Sequence, residues 1–152
     1  MSRPDVRQVR DLAERLLTVP WAENTSEARI ALSAAGFHPG SGDGEQMSDG
    51  DRMHELVTSG DGVAGHWVTT ARGALQSIVL MMEGTRQEIE WLHAAATVEV
   101  STLLDVPKRE FGTHGAPRLS WETGDRVLGL DAYWADPRLS VLMLSVERAR
   151  WG

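Results

Sequence analysis

The sequence predicts an α+β protein: an antiparallel sheet of about six strands with helices packed on it, in the order α-α-β-β-β-α-β-β-β. Three observations predict it. Apolar residues recur at helical spacing in three segments, most clearly in Thr85–Asp105, where Ile89, Leu92, Ala96, Val100 and Leu103 fall on one helical face. Elsewhere the apolar period drops to two, as in a strand. Asp61-Gly62 and Gly124-Asp125 are hairpin turn signals between such segments, so neighbouring strands run antiparallel.

The first helix carries Val6, Val9, Leu12, Ala13, Leu16 and Leu17 as its stripe and is closed by Pro20, with Trp21 packing the turn. Asn24 and Glu27 start a second helix, with Ala28, Ala31, Leu32 and Ala35 as core positions. Gly36 stands where a helix ends in the left-handed region, and Phe37 supplies the apolar contact that follows it. His38–Asp51 is one long loop, rich in Gly, Ser and acidic residues.

Arg52–Glu83 reads as a three-stranded meander. A two-residue Asp61-Gly62 turn sets Leu56 opposite Trp67, Val57 opposite His66 and His54 opposite Thr69. Ala71-Arg72-Gly73 makes the second turn, and Leu75–Met82 reads as an inner strand covered on both faces. The central helix begins with a Thr85/Glu88 capping box and ends before Pro107. The β-branched residues Thr97, Val98 and Val100 favour a strand, but the apolar spacing runs through them unbroken. Phe111–Pro117 is a Gly-rich connection. Arg118–Thr123 alternates, and a two-residue Gly124-Asp125 loop pairs Trp121 with Leu128 and Leu119 with Leu130. Asp136-Pro137 turns into a last strand, Leu139–Val146, trailed by Arg148, Arg150 and Trp151. If all helices cover one side of the sheet, apolar sheet surface remains for a partner or a second copy, giving a possible homodimer.

Residues 1–152 suit a single domain that buries roughly 70% of its unfolded surface. The chain has no cysteine, which removes disulfides and thiolate chemistry and fits a cytoplasmic location. No apolar run approaches the length of a membrane span, and the N-terminal residues lack a signal-peptide apolar core. The net charge of −7 disfavours nucleic acid and anionic membranes as partners and suits a basic protein.

Motifs for chemistry are sparse. Gly60-Asp61-Gly62-Val63-Ala64-Gly65 spells G-x-G-x-x-G, but strand formers follow it where a dinucleotide site needs a helix N-terminus. The five histidines lack metal-ligand spacing, and His54 and His66 fall on opposite faces of adjacent strands. His93 reads as a helix residue satisfied in or near the core. Asp43, Glu45, Asp49 and Asp51 have the wrong spacing for a calcium loop. Carboxylate neighbours such as Glu88/Glu90 and Asp131/Asp136 read as solvated surface charge. No catalytic, cofactor-binding or metal residues are assigned, and an enzyme is not expected. Six tryptophans are available for core or contact roles. Trp121 belongs to the core, whereas Trp91 lies off the stripe of its helix and suits a contact.

Val19-Pro20-Trp21, Ala34-Ala35-Gly36-Phe37, Leu103-Leu104-Asp105-Val106-Pro107, Arg118-Leu119-Ser120-Trp121-Glu122 and Leu128-Gly129-Leu130 together give a layout with a likeness. It resembles an uncharacterised family of small α+β proteins of actinobacteria, similar to the immunity proteins that neutralise secreted polymorphic toxins. The resemblance implies an antitoxin that occludes a cognate toxin by protein–protein interaction and carries no catalytic residues. Asp43, Glu45, Asp49, Asp51 and Trp91 are the expected partner-binding residues. The alternatives are a secretion or assembly chaperone holding a helical client, and a small-ligand domain with a pocket near His66 or His93.

Overall fold

The computed structural model describes residues 5–58, 63–111, 117–136 and 138–149. Its strands are β1 (Phe37–His38), β2 (Glu45–Gln46), β3 (Arg52–Thr58), β4 (Val63–Thr69), β5 (Leu75–Gly84), β6 (Lys108–Phe111), β7 (Pro117–Thr123), β8 (Arg126–Asp136) and β9 (Leu139–Arg148). They form one antiparallel sheet in the order β1-β3-β4-β5-β9-β8-β7-β6, with β2 also paired to β3. The helices are α1 (Val6–Thr18), α2 (Thr25–Ala34) and α3 (Arg86–Leu104). The α+β class and the order of the long elements are therefore as the sequence predicts.

Nine strands are described among these residues, more than the six expected. The three extra ones carried no periodic signal. β1 and β2 are two residues each, too short to alternate, and they interrupt what reads as one long loop. β6 is Lys-Arg-Glu-Phe, with charge at three of four positions, so it reads as connection. The Gly-rich stretch follows it, and residues 112–116 lie outside the described residues, as do the Asp61-Gly62 turn, Pro137, Arg150 and Trp151.

The register of β3 against β4 differs from expectation by two residues. His54 pairs with Trp67, Leu56 with Gly65, Val57 with Ala64 and Arg52 with Thr69. The strands end at Thr58 and Val63, so residues 59–62 connect them rather than a two-residue turn. A slip of two leaves every side chain on its expected face, so the alternation could not expose the error. Gly65 has a separate role: a β-carbon there would overlap the carbonyl oxygen of Val79 across the β4–β5 pair. The β7–β8 register is as expected, with Trp121 on Leu128 and Leu119 on Leu130. Gly124 has φ +60, as the first central position of a type II′ turn requires.

All three helices lie on one face of the sheet. Between that face and α1 and α3 sit Ile78, Leu80, Met82, Leu142, Leu144, Val146, Leu128 and Leu130, all fully buried. The α1 stripe contributes Val9, Leu12 and Leu16, and α3 contributes Ile89, Leu92, Ala96 and Val100. The expectation that Leu75–Met82 is covered on both faces does not hold. Ser77, Val79 and Met81 face the other side and are only half-buried, as are Val141, Met143 and Ser145 beside them on β9.

Caps fix the helix ends. Asp5, Asn24 and Thr85 each accept a backbone N–H in the first turn, and at Thr85 the Glu88 carboxylate returns the bond, completing the capping box. After α2, Gly36 has φ +90 and its N–H donates to Ser33 O, while Phe37 is buried. The end of α1 is held from the sheet. Arg126, buried on β8, donates to Leu16 O (3.0 Å) and Val19 O (2.8 Å) and lies over the Trp21 ring. Carbonyls that the helix leaves unpaired thus find a donor.

Candidate functional site

The acidic segment is ordered through its backbone. Arg29 on α2 donates to Gly42 O (2.5 Å), and Arg52 on β3 donates to Asp43 O (3.3 Å). Met47 N–H donates to Asp51 O (2.7 Å), Gly50 N–H to Met47 O (3.1 Å) and Asp51 N–H to Asp49 Oδ1 (3.0 Å). The two arginines therefore spend these donors on carbonyl oxygens. Among the described residues, none of Asp43, Glu45, Asp49 and Asp51 enters an ion pair. Asp43, Glu45 and Asp49 are exposed and Asp51 is half-buried. These carboxylates share one sheet edge, beyond β3.

Trp91 is elsewhere. It is 61% exposed on the side of α3 turned away from the core, beside Ala94 and Val98. α3 packs over β8 and β9. Four strand-to-strand steps separate β3 from β8, about 19 Å of sheet. The structure therefore brings the four carboxylates together and leaves Trp91 on a second surface. Trp121 is in the core as expected, its indole N–H donating to Asp105 O (3.0 Å).

Val63–Gly65 of the glycine motif begin strand β4 rather than a helix, which removes the dinucleotide reading. Gly60–Gly62 lie outside the described residues, as does His114. His54 and His66 do lie on opposite faces. His93 is buried with Nε2 3.3 Å from Leu130 O, and burial holds its pKa below the usual range, against the pull of that carbonyl and of Asp131. Burial likewise lowers His66 and raises the Asp131 carboxyl, although Arg118 lies 3.7 Å from the latter and opposes the rise. Glu88 is used in the α3 cap and Glu90 pairs with Arg86 at 2.6 Å, so the two do not act on a common group. Among the described residues no three His, Asp or Glu side chains are grouped as a metal ion requires, and no helix is long and apolar enough to cross a membrane.

One feature falls where the small-ligand alternative expects a pocket, near His66, and a second was not anticipated. A cleft of about 540 Å³ opens between residues 39–45 and the edge of β3 and β4, with His54 and His66 among its lining residues. Beside it Trp67, fully buried, stacks on His54 and shares its indole N–H between Pro39 O and Glu55 O, both at 3.2 Å. The alternating Gly40, Gly42 and Gly44 were the only sequence sign that the backbone here lies close to something.

No family model matches this chain, and no curated protein or solved structure is detectably similar to it.

Proposed function

We propose that this protein is an immunity-type antitoxin, which binds a cognate toxin domain and occludes it. The observation that carries the reading is the Asp43–Asp51 segment, whose entry is fixed by Arg29 on Gly42 O and Arg52 on Asp43 O while its carboxylates enter no ion pair among the described residues. A fixed backbone lowers the ordering cost of binding. Unpaired carboxylates on a chain of net charge −7 steer a basic cleft towards that edge, and the rate falls as salt rises. Trp91 adds apolar contact on a toxin large enough to reach α3. The test is co-purification with the product of the neighbouring gene, and protection of cells expressing it. Replacing Asp43, Glu45, Asp49 and Asp51 with their amides should slow association at least tenfold and flatten its salt dependence. A neighbour that is toxic yet neither bound nor neutralised would sink the reading.

A second reading, a chaperone for a helical client, is favoured by one observation: the uncovered sheet face carries Val79, Met81, Val141 and Met143 at its centre. Methionine adapts to varied apolar ligands. Binding to an isolated amphipathic helix, and not to a folded toxin, separates the two. A concentration-dependent dimer in solution would instead assign that face to a second copy.

A further inference from the structure

Residues 39–46 rest on a stack built from three elements. The Arg29 guanidinium of α2 lies 5.7 Å from the Trp67 ring centre. The His54 imidazole stacks on Trp67 with centroids 3.9 Å apart and planes 17° from parallel. Gly44 then closes on His54. It has φ +77, and a β-carbon there would lie 2.6 Å from His54 Nδ1, so only glycine lets the chain come this close. Pro39 O, Gly42 O and Asp43 O are held by Trp67, Arg29 and Arg52 respectively. The segment is thus a lid, pinned by its carbonyls over the cleft at the β3 edge.

His54 is 3% exposed. Its Nε2 is 3.0 Å from Thr69 Oγ1, while Nδ1 is enclosed without a hydrogen-bond partner among the described residues. A neutral imidazole carries one N–H, and Thr69 can accept it. A protonated ring carries two, and the second would point at Gly44, which closes on Nδ1 and leaves it no hydrogen-bond partner among the described residues. The charged groups facing the ring are Arg29 from α2, Arg52 from β3 and Asp43 from the lid, while Trp67 and Thr69 on β4 are uncharged. Burial first, then the two arginines, hold His54 below the usual histidine range, with Asp43 opposing them.

We propose that residues 39–46 form an acid-released lid: the neutral His54 ring allows Gly44 to close on it, and a proton at Nδ1 drives the segment off. The lid carries Asp43 and Glu45, so this deepens the proposed function by giving it pH regulation. Its consequence for a toxin rests on that reading, but the lid motion is a property of the free protein. One proton is linked to opening. The open fraction therefore rises up to tenfold per pH unit as pH falls below about 6.5, and levels off at the pKa of the closed state.

Amide hydrogen exchange of the free protein between pH 7.5 and 5, corrected for intrinsic rates, tests this without any partner. Protection at residues 44–47 should fall up to tenfold per unit and stay well below that of Leu80 and Leu144, whose amides exchange through the global unfolding that all the buried histidines promote. His54→Phe retains a ring on Trp67 with no proton to gain, so its lid protection should be flat with pH. The proposal is overturned if lid amides are as protected as core amides and so open only with the whole fold, if the wild-type lid is flat, or if the slope survives in His54→Phe. Should that variant fold poorly, the His54 ring resonance in the wild type decides. A histidine that titrates in its ordinary range while the lid stays protected overturns the proposal.

Discussion

α1 and α3 lie side by side on the same sheet face, tied by Arg10 to Glu99 at 2.9 Å, and they differ in what they turn to solvent. The outer side of α1 is charged and internally paired, Asp11 to Arg15 at 2.9 Å and Arg10 to Glu14 at 3.3 Å. The outer side of α3 carries Trp91, Ala94 and Val98, with the two larger side chains 61% and 65% exposed. Inward the two are alike: each inserts a stripe of fully or nearly fully buried apolar residues between the strands. A helix that only shields a core needs the α1 pattern. Apolar residues on both sides of α3 give it a second face that water does not favour.

Equivalence of the inner faces is the part most open to attack. Leu16→Ala on α1 and Leu92→Ala on α3 each remove a buried side chain and should each lower stability by about 2–5 kcal/mol in urea unfolding. If α3 tolerated its truncation with less than about 1 kcal/mol lost, it would be docked loosely and the likeness would break.

A smaller effect separates the helices by pH. α3 buries His93 and α1 buries no titratable group. The folded pKa of His93 is depressed, so below about 6.5 the unfolded chain binds the extra proton and stability falls as pH falls, by at most about 1.4 kcal/mol per unit for that residue. His54 and His66 add in the same direction. Thermal unfolding between pH 7.5 and 5.5 should show the decline, and His93→Gln should make it shallower. An unchanged slope would place His93 outside the acid response.

The smallest effect on stability belongs to the outer faces. Trp91→Ser with Val98→Ser, and Asp11→Ala with Arg15→Ala, should each change unfolding free energy by less than about 1 kcal/mol. They should part company in the presence of the proposed toxin. The α3 pair would weaken binding at least tenfold, and the α1 pair would leave it unchanged. Equal behaviour would reduce Trp91 to an incidental surface residue.

What the sequence made legible follows from how local each determinant is. The β7–β8 register could be read because Gly124 sits in a tight turn and the alternating Leu119, Trp121, Leu128 and Leu130 admit one pairing. α3 could be read through its β-branched stretch because the apolar spacing persisted and Thr85 and Glu88 marked its start. The β3–β4 register failed because a shift of two residues conserves the faces, and only the connection length distinguishes the alternatives. β6 was hidden by its charges, since its pairing with β7 shows in backbone hydrogen bonds and not in side-chain pattern. Of the site, the four carboxylates were legible as a cluster, of which Asp43, Glu45 and Asp49 are exposed and Asp51 is half-buried. The stack of Arg29, Trp67, His54 and Gly44 was not, because it joins residues from α2, β3, β4 and a connection, which only the fold brings together.

The central placement of β9 carries a consequence for how the molecule is made. It bridges the two halves of the sheet, with Ile78 of β5 meeting Val146 and Leu128 of β8 meeting the same residue from the other side. Until residues 139–148 arrive, β5 and β8 each present a bare edge able to recruit a neighbouring nascent chain. Synthesis therefore leaves both halves waiting on one late strand, and the crowded interval before it docks is when this protein is most exposed to misassembly.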